Sequence, residues 1–291
     1  MQTTIVTSSH AFREVVYGGH LLALGTASIA ASSAIILGRT PSIILLAMAY
    51  LFSYGAYMLN RGSEVTQDSV SDPARTNYLR GRSRYLTAIS GLCFGIGYLL
   101  AATVNLVFLG ALLIPFVLAL TYTIGSKKLV SLIGAKRLKD KLLVKNLVIS
   151  FGWSLIPVLV GLYYKTVPIV LLAFAPFIFF RLMSNTVFFD LRDVRADSEY
   201  GVRTIPVVYG SGLAYRLMTI FDFVSAAYVF LLIAIHVFPA FTLVMILLPA
   251  YSLLYRWISQ SPGANLGFLC DFVADGEYIL WGPLLFFGKI I

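Results

Sequence analysis

Apolar runs of about twenty residues recur along this 291-residue chain, broken by tight turns or by long polar connections, most of them strongly basic. Runs of that kind leave few solutions. In a bilayer every backbone polar group must be satisfied within the protein, so a spanning segment is a helix or part of a closed barrel. Barrel strands alternate apolar and polar residues, whereas these runs are continuous. Hydrophobic residues make up 59% of the chain and charged ones 12%, against about 25% charged in a soluble domain. The prediction is an all-α, polytopic membrane protein of about nine transmembrane helices, near 20–38, 41–60, 86–104, 106–123, 143–163, 167–189, 212–236, 239–257 and 276–291, the last being short. The first twenty residues carry His10, Arg13 and Glu14 and lack the apolar core of a cleavable signal. Cys93 and Cys270 have no metal-ligand spacing and predict no disulfide framework.

The basic residues set an orientation. Eighteen of the 22 lysines and arginines fall on one side of a nine-helix arrangement, mostly in the connections 61–85, 124–142 and 190–211. Basic loops stay cytoplasmic, which places the N-terminus and the long loops there. The net charge of +9 is thus topology and attraction to anionic lipid rather than a nucleic-acid surface. Long loops follow the second, fourth, sixth and eighth helices. That rhythm predicts a single membrane domain over 1–291, built of two parallel halves at about 20–123 and 143–257 with a last helix at about 276–291.

Two rows of oxygen-bearing side chains close the second and sixth helices. Asn60, Glu64 and Asp68 are four residues apart; Asp190, Asp193 and Asp197 follow at three and four. Both spacings put side chains on one helix face. Five of the 13 acidic residues lie in these two stretches. Charged side chains near a bilayer are costly and tend to be functional. Facing rows of carboxylates suit a hard cation such as Mg²⁺ holding a diphosphate. The competing reading is a solvated helix end whose acids pair with Arg192, Arg195 and Arg203. The rows occupy equivalent positions on one membrane side, which favours a shared site.

These rows resemble the motifs of the UbiA superfamily of intramembrane prenyltransferases. The first family motif, Asn-Asp-x-x-Asp-x-x-x-Asp, is matched at Asn60, Glu64 and Asp68 and departs at Arg61; the second, Asp-x-x-Asp-x-x-x-Asp, is matched by Asp190, Asp193 and Asp197. The run Gly201-Val202-Arg203-Thr204-Ile205-Pro206 looks like the family's Gly-x-Lys/Arg-Thr-x-Pro. The resemblance implies a helical bundle around a central cavity that opens toward the cytoplasm. It implies that the six row residues bind Mg²⁺, two ions in the family pattern, bridging the diphosphate of a polyprenyl donor. Metal and basic side chains stabilise the departing diphosphate, and apolar walls keep water from the prenyl cation. Transfer is to an aromatic or lipophilic acceptor. A quinone-type ring is the first choice and a glyceryl phosphate lipid the second. Arg75, Lys127, Lys145, Asn146 and Arg203 are the candidates for holding diphosphate.

Other polar residues leave alternatives. Asn185 extends the inner polar face of the sixth helix or bonds a neighbouring helix. Arg181 and Asp222 pair with each other or reach the cavity. Asp271 and Asp275 read as cap or surface residues rather than metal ligands. Rivals to the prenyltransferase are a secondary transporter using the acids as an ion path and a noncatalytic isoprenoid-binding relative, the latter resting on Arg61.

Overall fold

The computed structural model describes residues 10–80, 82–124 and 141–291, apart from the side chains of 63–69, 83, 84, 121, 123 and 124. Every regular element among them is helical. In chain order the helices are α1 (His10–Tyr17), α2 (His20–Ile36), α3 (Ile43–Ser71), α4 (Pro73–Arg80), α5 (Ser83–Ala102), α6 (Leu106–Ala111) and α7 (Leu113–Ile124). Then come α8 (Val144–Ser154), α9 (Ile156–Tyr163), α10 (Ile169–Glu199), α11 (Ile205–Tyr209), α12 (Ser211–Ala234), α13 (Leu247–Ser259) and α14 (Asp275–Ile290). A 3₁₀ segment, Ala240–Ile246, leads into α13, and a wide π turn, Leu269–Ala274, leads into α14.

Among the described residues six stretches are long and apolar enough to cross a membrane: Ile43–Gly62, Tyr85–Ala102, Val144–Tyr163, Ile169–Glu199, Ser211–Ala234 and Ala240–Ser259. The pair α1 and α2, bent by 56°, makes a seventh if taken as one span. The bend sits at Gly19, whose φ of +81° suits glycine. The Tyr57 ring closes over it, 2.4 Å from where a Cβ would stand.

Helix α3 has 29 residues and α10 has 31. At 1.5 Å per residue each is about 45 Å long, against about 30 Å of hydrocarbon. The helices therefore continue past the apolar runs and carry the polar rows on their projecting ends. Helix α10 is the most enclosed of the six candidate spans. Its Phe174, Phe177, Ile178 and Leu182 pack with Met245, Leu248, Tyr278 and Trp281 in the main core.

Two short helices interrupt what the sequence presents as a tail and a loop. Asp72 precedes Pro73 and its Oδ1 accepts from the Arg75 backbone N–H at 2.9 Å, capping α4. Helix α1 meets it through Glu14, whose Oε2 accepts from Tyr78 and, at 2.8 Å, from Arg82.

Helices α2 and α14 pack closely through small residues, as membrane helices do in the absence of a hydrophobic drive. Ser28 Oγ donates to the Ile279 carbonyl at 2.9 Å and accepts from the Gly282 N–H at 2.8 Å. A Cβ on Gly25 would lie 2.6 Å from the Tyr278 Cβ. Gly25→Leu is therefore expected to lower stability by about 1–3 kcal/mol through overpacking. Thermal unfolding in detergent checks this, and an unchanged midpoint would show that the two helices can part freely.

Candidate active site

A cavity of about 380 Å³ opens between α2, α3, α5 to α10 and α14. One end is polar. It is lined by Asn60 and Arg61 from α3, Tyr122 from α7, Lys145 from α8, Arg192, Asp193 and Asp197 from α10, and Asp275 from α14. The trunk is apolar, with Leu45, Met48, Phe52, Phe94, Phe108, Phe116, Trp153 and Val160 on its walls. Leu45 and Asn60 lie on one helix, fifteen residues apart, or about 22 Å of rise. On α10 the lining residues Leu182, Asn185, Thr186, Phe189, Arg192, Asp193 and Asp197 recur every three or four positions, the stripe that one helix face presents.

The second row divides by role. Asp193 and Asp197 reach the cavity wall, but Asp190 is wholly buried behind it. Its Oδ1 accepts from Lys145 Nζ at 2.8 Å and its Oδ2 from Asn146 Nδ2 at 2.9 Å. Lys145, itself at the wall, also lies 3.9 Å from Asp197. Asp193 is gripped by its neighbour Arg192, with Nε 2.8 Å and Nη2 3.0 Å from the two carboxylate oxygens. Arg195 pairs instead with Glu199 at 3.0 Å on the exposed side. The helix-end pairing that competes with a site is thus real for Asp193, although its partner Arg192 lies at the cavity too.

The first row is placed in part. Asn60 lines the cavity; the Glu64 and Asp68 side chains lie outside the described residues. Arg61 turns to the cavity with its guanidinium 4.7 Å over the Tyr57 ring, a cation–π arrangement.

Of the diphosphate candidates, Lys145 alone lines the cavity among the described residues, and Lys127 lies outside them. Arg203 is exposed and away from the lining. Asn146 is buried against Asp190. Arg75 is buried too, with Nη1 2.9 Å from Asp271 Oδ1. The same oxygen accepts from Arg192 Nη1 at 2.7 Å.

Asp271 is therefore no surface acid: it joins two buried arginines of α4 and α10. Burial pushes its carboxyl up, but Arg75 and Arg192 more than offset this and hold it below the usual carboxylate range. Burial leaves Asp72 raised despite Arg75. Asp275 is likewise no surface cap, since it stands at the cavity wall.

Arg181 and Asp222 do pair, within a larger cluster that the spacing did not reveal. Arg181 Nη2 lies 2.6 and 2.7 Å from the Glu277 oxygens, and its Nη1 meets Asp222. Asp222 also binds Arg256 and, at 3.1 Å, Ser252. All four charged residues are buried. The only hint in the sequence is that each lies at or inside an apolar run.

Magnesium is the cation to test against this donor set. Asn60, Asp193 and Asp197 offer hard oxygens, and among the described residues no thiol or imidazole lines the cavity. Among the described residues no three acidic, histidine or cysteine side chains form a cage alone. Mg²⁺ does not require one, since it is held by one or two carboxylates with waters and substrate phosphates. The residues fit.

A helical membrane bundle with charged and oxygen-bearing groups at the mouth of a long apolar cavity suits an amphiphile with an anionic head. Comparison with known proteins agrees. The model of the UbiA prenyltransferase family matches residues 20–265. A digeranylgeranylglyceryl phosphate synthase of Methanopyrus kandleri is 25% identical over 186 residues, 62% of each chain, so this chain spans under two thirds of that relative. A UbiA homolog from Archaeoglobus fulgidus bound to GPP and Mg²⁺ superposes with a TM-score of 0.66 at 18% identity, covering 96% of this chain and 100% of that one. An apo UbiA homolog from Aeropyrum pernix K1 gives 0.65 at 13%, covering 94% and 97%. The chain belongs to the UbiA prenyltransferase family.

Proposed function

We propose that this protein transfers a polyprenyl group from its diphosphate to a lipophilic acceptor within the membrane. The carrying observation is a cavity with a charged mouth and an apolar trunk, together spanning about 22 Å of helix rise along α3. A short donor would leave most of that trunk unfilled, so the length favours several isoprene units. The trunk aromatics Phe52, Phe94, Phe108 and Phe116 exclude water and face the allylic chain.

At the mouth, Asp193 and Asp197, with Asn60 opposite and the Glu64 and Asp68 row beyond it, would hold Mg²⁺. When bound, the ion neutralises the charge growing on the leaving diphosphate. Lys145 and Arg192 bring cationic side chains to the same polar end of the cavity. Asp190 with Asn146 fixes the lysine, and Asp271 with Arg75 fixes the arginine. Buried partners of this kind preorganise the charges, so Asn146 and Arg75 act on diphosphate at one remove. Lys127 and Arg203 are assigned to the loops that meet the diphosphate from the cytoplasmic side. The fold reads as one domain of two halves, 20–123 and 143–257, crossing nine times with the N-terminus and the cavity mouth in the cytoplasm. The excess of basic residues on that side supports it.

The partial match to a digeranylgeranylglyceryl phosphate synthase favours a geranylgeranylglyceryl phosphate hydroxyl as acceptor over a quinone-type ring. The test is labelled geranylgeranyl diphosphate with Mg²⁺, given geranylgeranylglyceryl phosphate or 4-hydroxybenzoate. Product that requires Mg²⁺ is expected with the first. Failure to bind or cleave every donor from dimethylallyl to geranylgeranyl diphosphate would overturn the proposal.

A further inference from the structure

Prenyl transfer releases a proton, and the acids so far described have other work. Asp190 is held by Lys145 and Asn146, Asp193 by Arg192, and Asp271 by two arginines. Asp222 and Glu277 are neutralised by Arg181 and Arg256. Asp275 differs: its carboxylate lines the cavity and, among the described residues, makes no hydrogen bond or ion pair. Arg61 of α3, Arg75 of α4, Arg192 of α10 and Asp271 of its own segment are the charges that bear on it.

Its level in the cavity is informative. The preceding residue, Ala274, has its carbonyl 3.5 Å from Asn185 Nδ2. Asn185 lies eight residues before Asp193 on α10, or about 12 Å inward along the helix. Tyr278, one turn beyond Asp275, already belongs to the apolar trunk and packs its ring, tilted by 44°, against Trp153 at 5.2 Å. Asp275 therefore stands where the charged mouth gives way to the trunk. A donor holding its diphosphate near Asp193 and Asp197 would thread its allylic end past this carboxylate into the trunk.

We infer that Asp275 is the catalytic base of the acceptor half-reaction. The inference rests on the function proposed above. The allylic C–O bond breaks and its electron pair leaves with diphosphate. The acceptor oxygen attacks the first carbon of the prenyl group, forming the new C–O bond. Its hydroxyl proton passes to the Asp275 carboxylate. An alcohol needs this help, and a positioned base typically contributes about 10²–10⁴-fold.

The full-length protein in nanodiscs provides the test, with Asp275→Asn, Asp275→Ala and Asp193→Asn. Donor binding is read from Trp153-region fluorescence on titration with geranylgeranyl diphosphate and Mg²⁺, and transfer from product with geranylgeranylglyceryl phosphate. Asp275→Asn is expected to bind donor within about twofold of the unsubstituted chain while kcat falls about 10²-fold or more. Formate is expected to restore part of the Asp275→Ala rate, which a merely structural aspartate would not allow. Transfer at the full rate in Asp275→Asn, or donor binding lost with it, would overturn the assignment. An unsubstituted chain that binds no donor, or an Asp193→Asn variant with full transfer, overturns instead the function on which it rests.

Discussion

Asp193→Ala is expected to lower kcat/KM for polyprenyl transfer by about 10³-fold and to leave the protein folded. Both halves follow from its surroundings. Asp193 lines the cavity with Asp197, where the proposed function puts the charge of the leaving diphosphate. Deleting its carboxylate would remove a proposed donor to the metal and one of the restraints on Arg192. It does not strand a buried cation, because Arg192 keeps Asp271 at 2.7 Å. Asp190→Ala contrasts with this. It would remove both hydrogen bonds that hold Lys145 and Asn146, so stability should fall along with activity. Measuring diphosphate release and the thermal midpoint on both variants separates the cases. Full activity in Asp193→Ala would remove Asp193 from the metal and diphosphate machinery.

The largest effect on stability is expected at Glu277. In Glu277→Ala the buried Arg181 keeps only a share of Asp222, which Arg256 also claims. Two cations would then face one anion inside the bundle. Breaking one side of a buried pair costs about 3–5 kcal/mol, because a desolvated charge is left behind. The expected readout is loss of most folded, monodisperse protein on detergent extraction. The double variant Arg181→Met with Glu277→Met leaves Asp222 and Arg256 as a neutral pair and should recover much of the loss. Groups sharing a network are not additive, and that recovery distinguishes charge imbalance from a lost contact. A single variant as stable as the unsubstituted protein would mean that water reaches the cluster.

Much of this was legible along the chain because it depends on local periodicity. Unbroken apolar runs require helices in lipid, and spacings of three and four place Asp190, Asp193 and Asp197 on one face whatever lies opposite. The continuation of α3 and α10 beyond their apolar runs follows from the same rule. Other features depend on partners far away in the chain. Asp271 read as a surface residue because a carboxylate in a polar connection is usually solvated. Arg75 and Arg192 bury it from 196 and 79 residues away. Arg75 itself looked like a phosphate ligand, since spacing cannot distinguish an arginine at the wall from one behind it. Glu277 gave no signal beside Arg181, 96 residues earlier.

The amino-acid sequence alone determined that this chain is a helical membrane protein and that two oxygen-bearing rows end two of its helices. Each of these follows from hydropathy, charge or helical period, which act over a few residues. Only the tertiary structure decided which row members reach the cavity, which cations they face, and that Asp275 stands where the charged mouth meets the apolar trunk. Those outcomes depend on how close two helices pack and on which buried charge finds a counter-ion, and no local pattern encodes either.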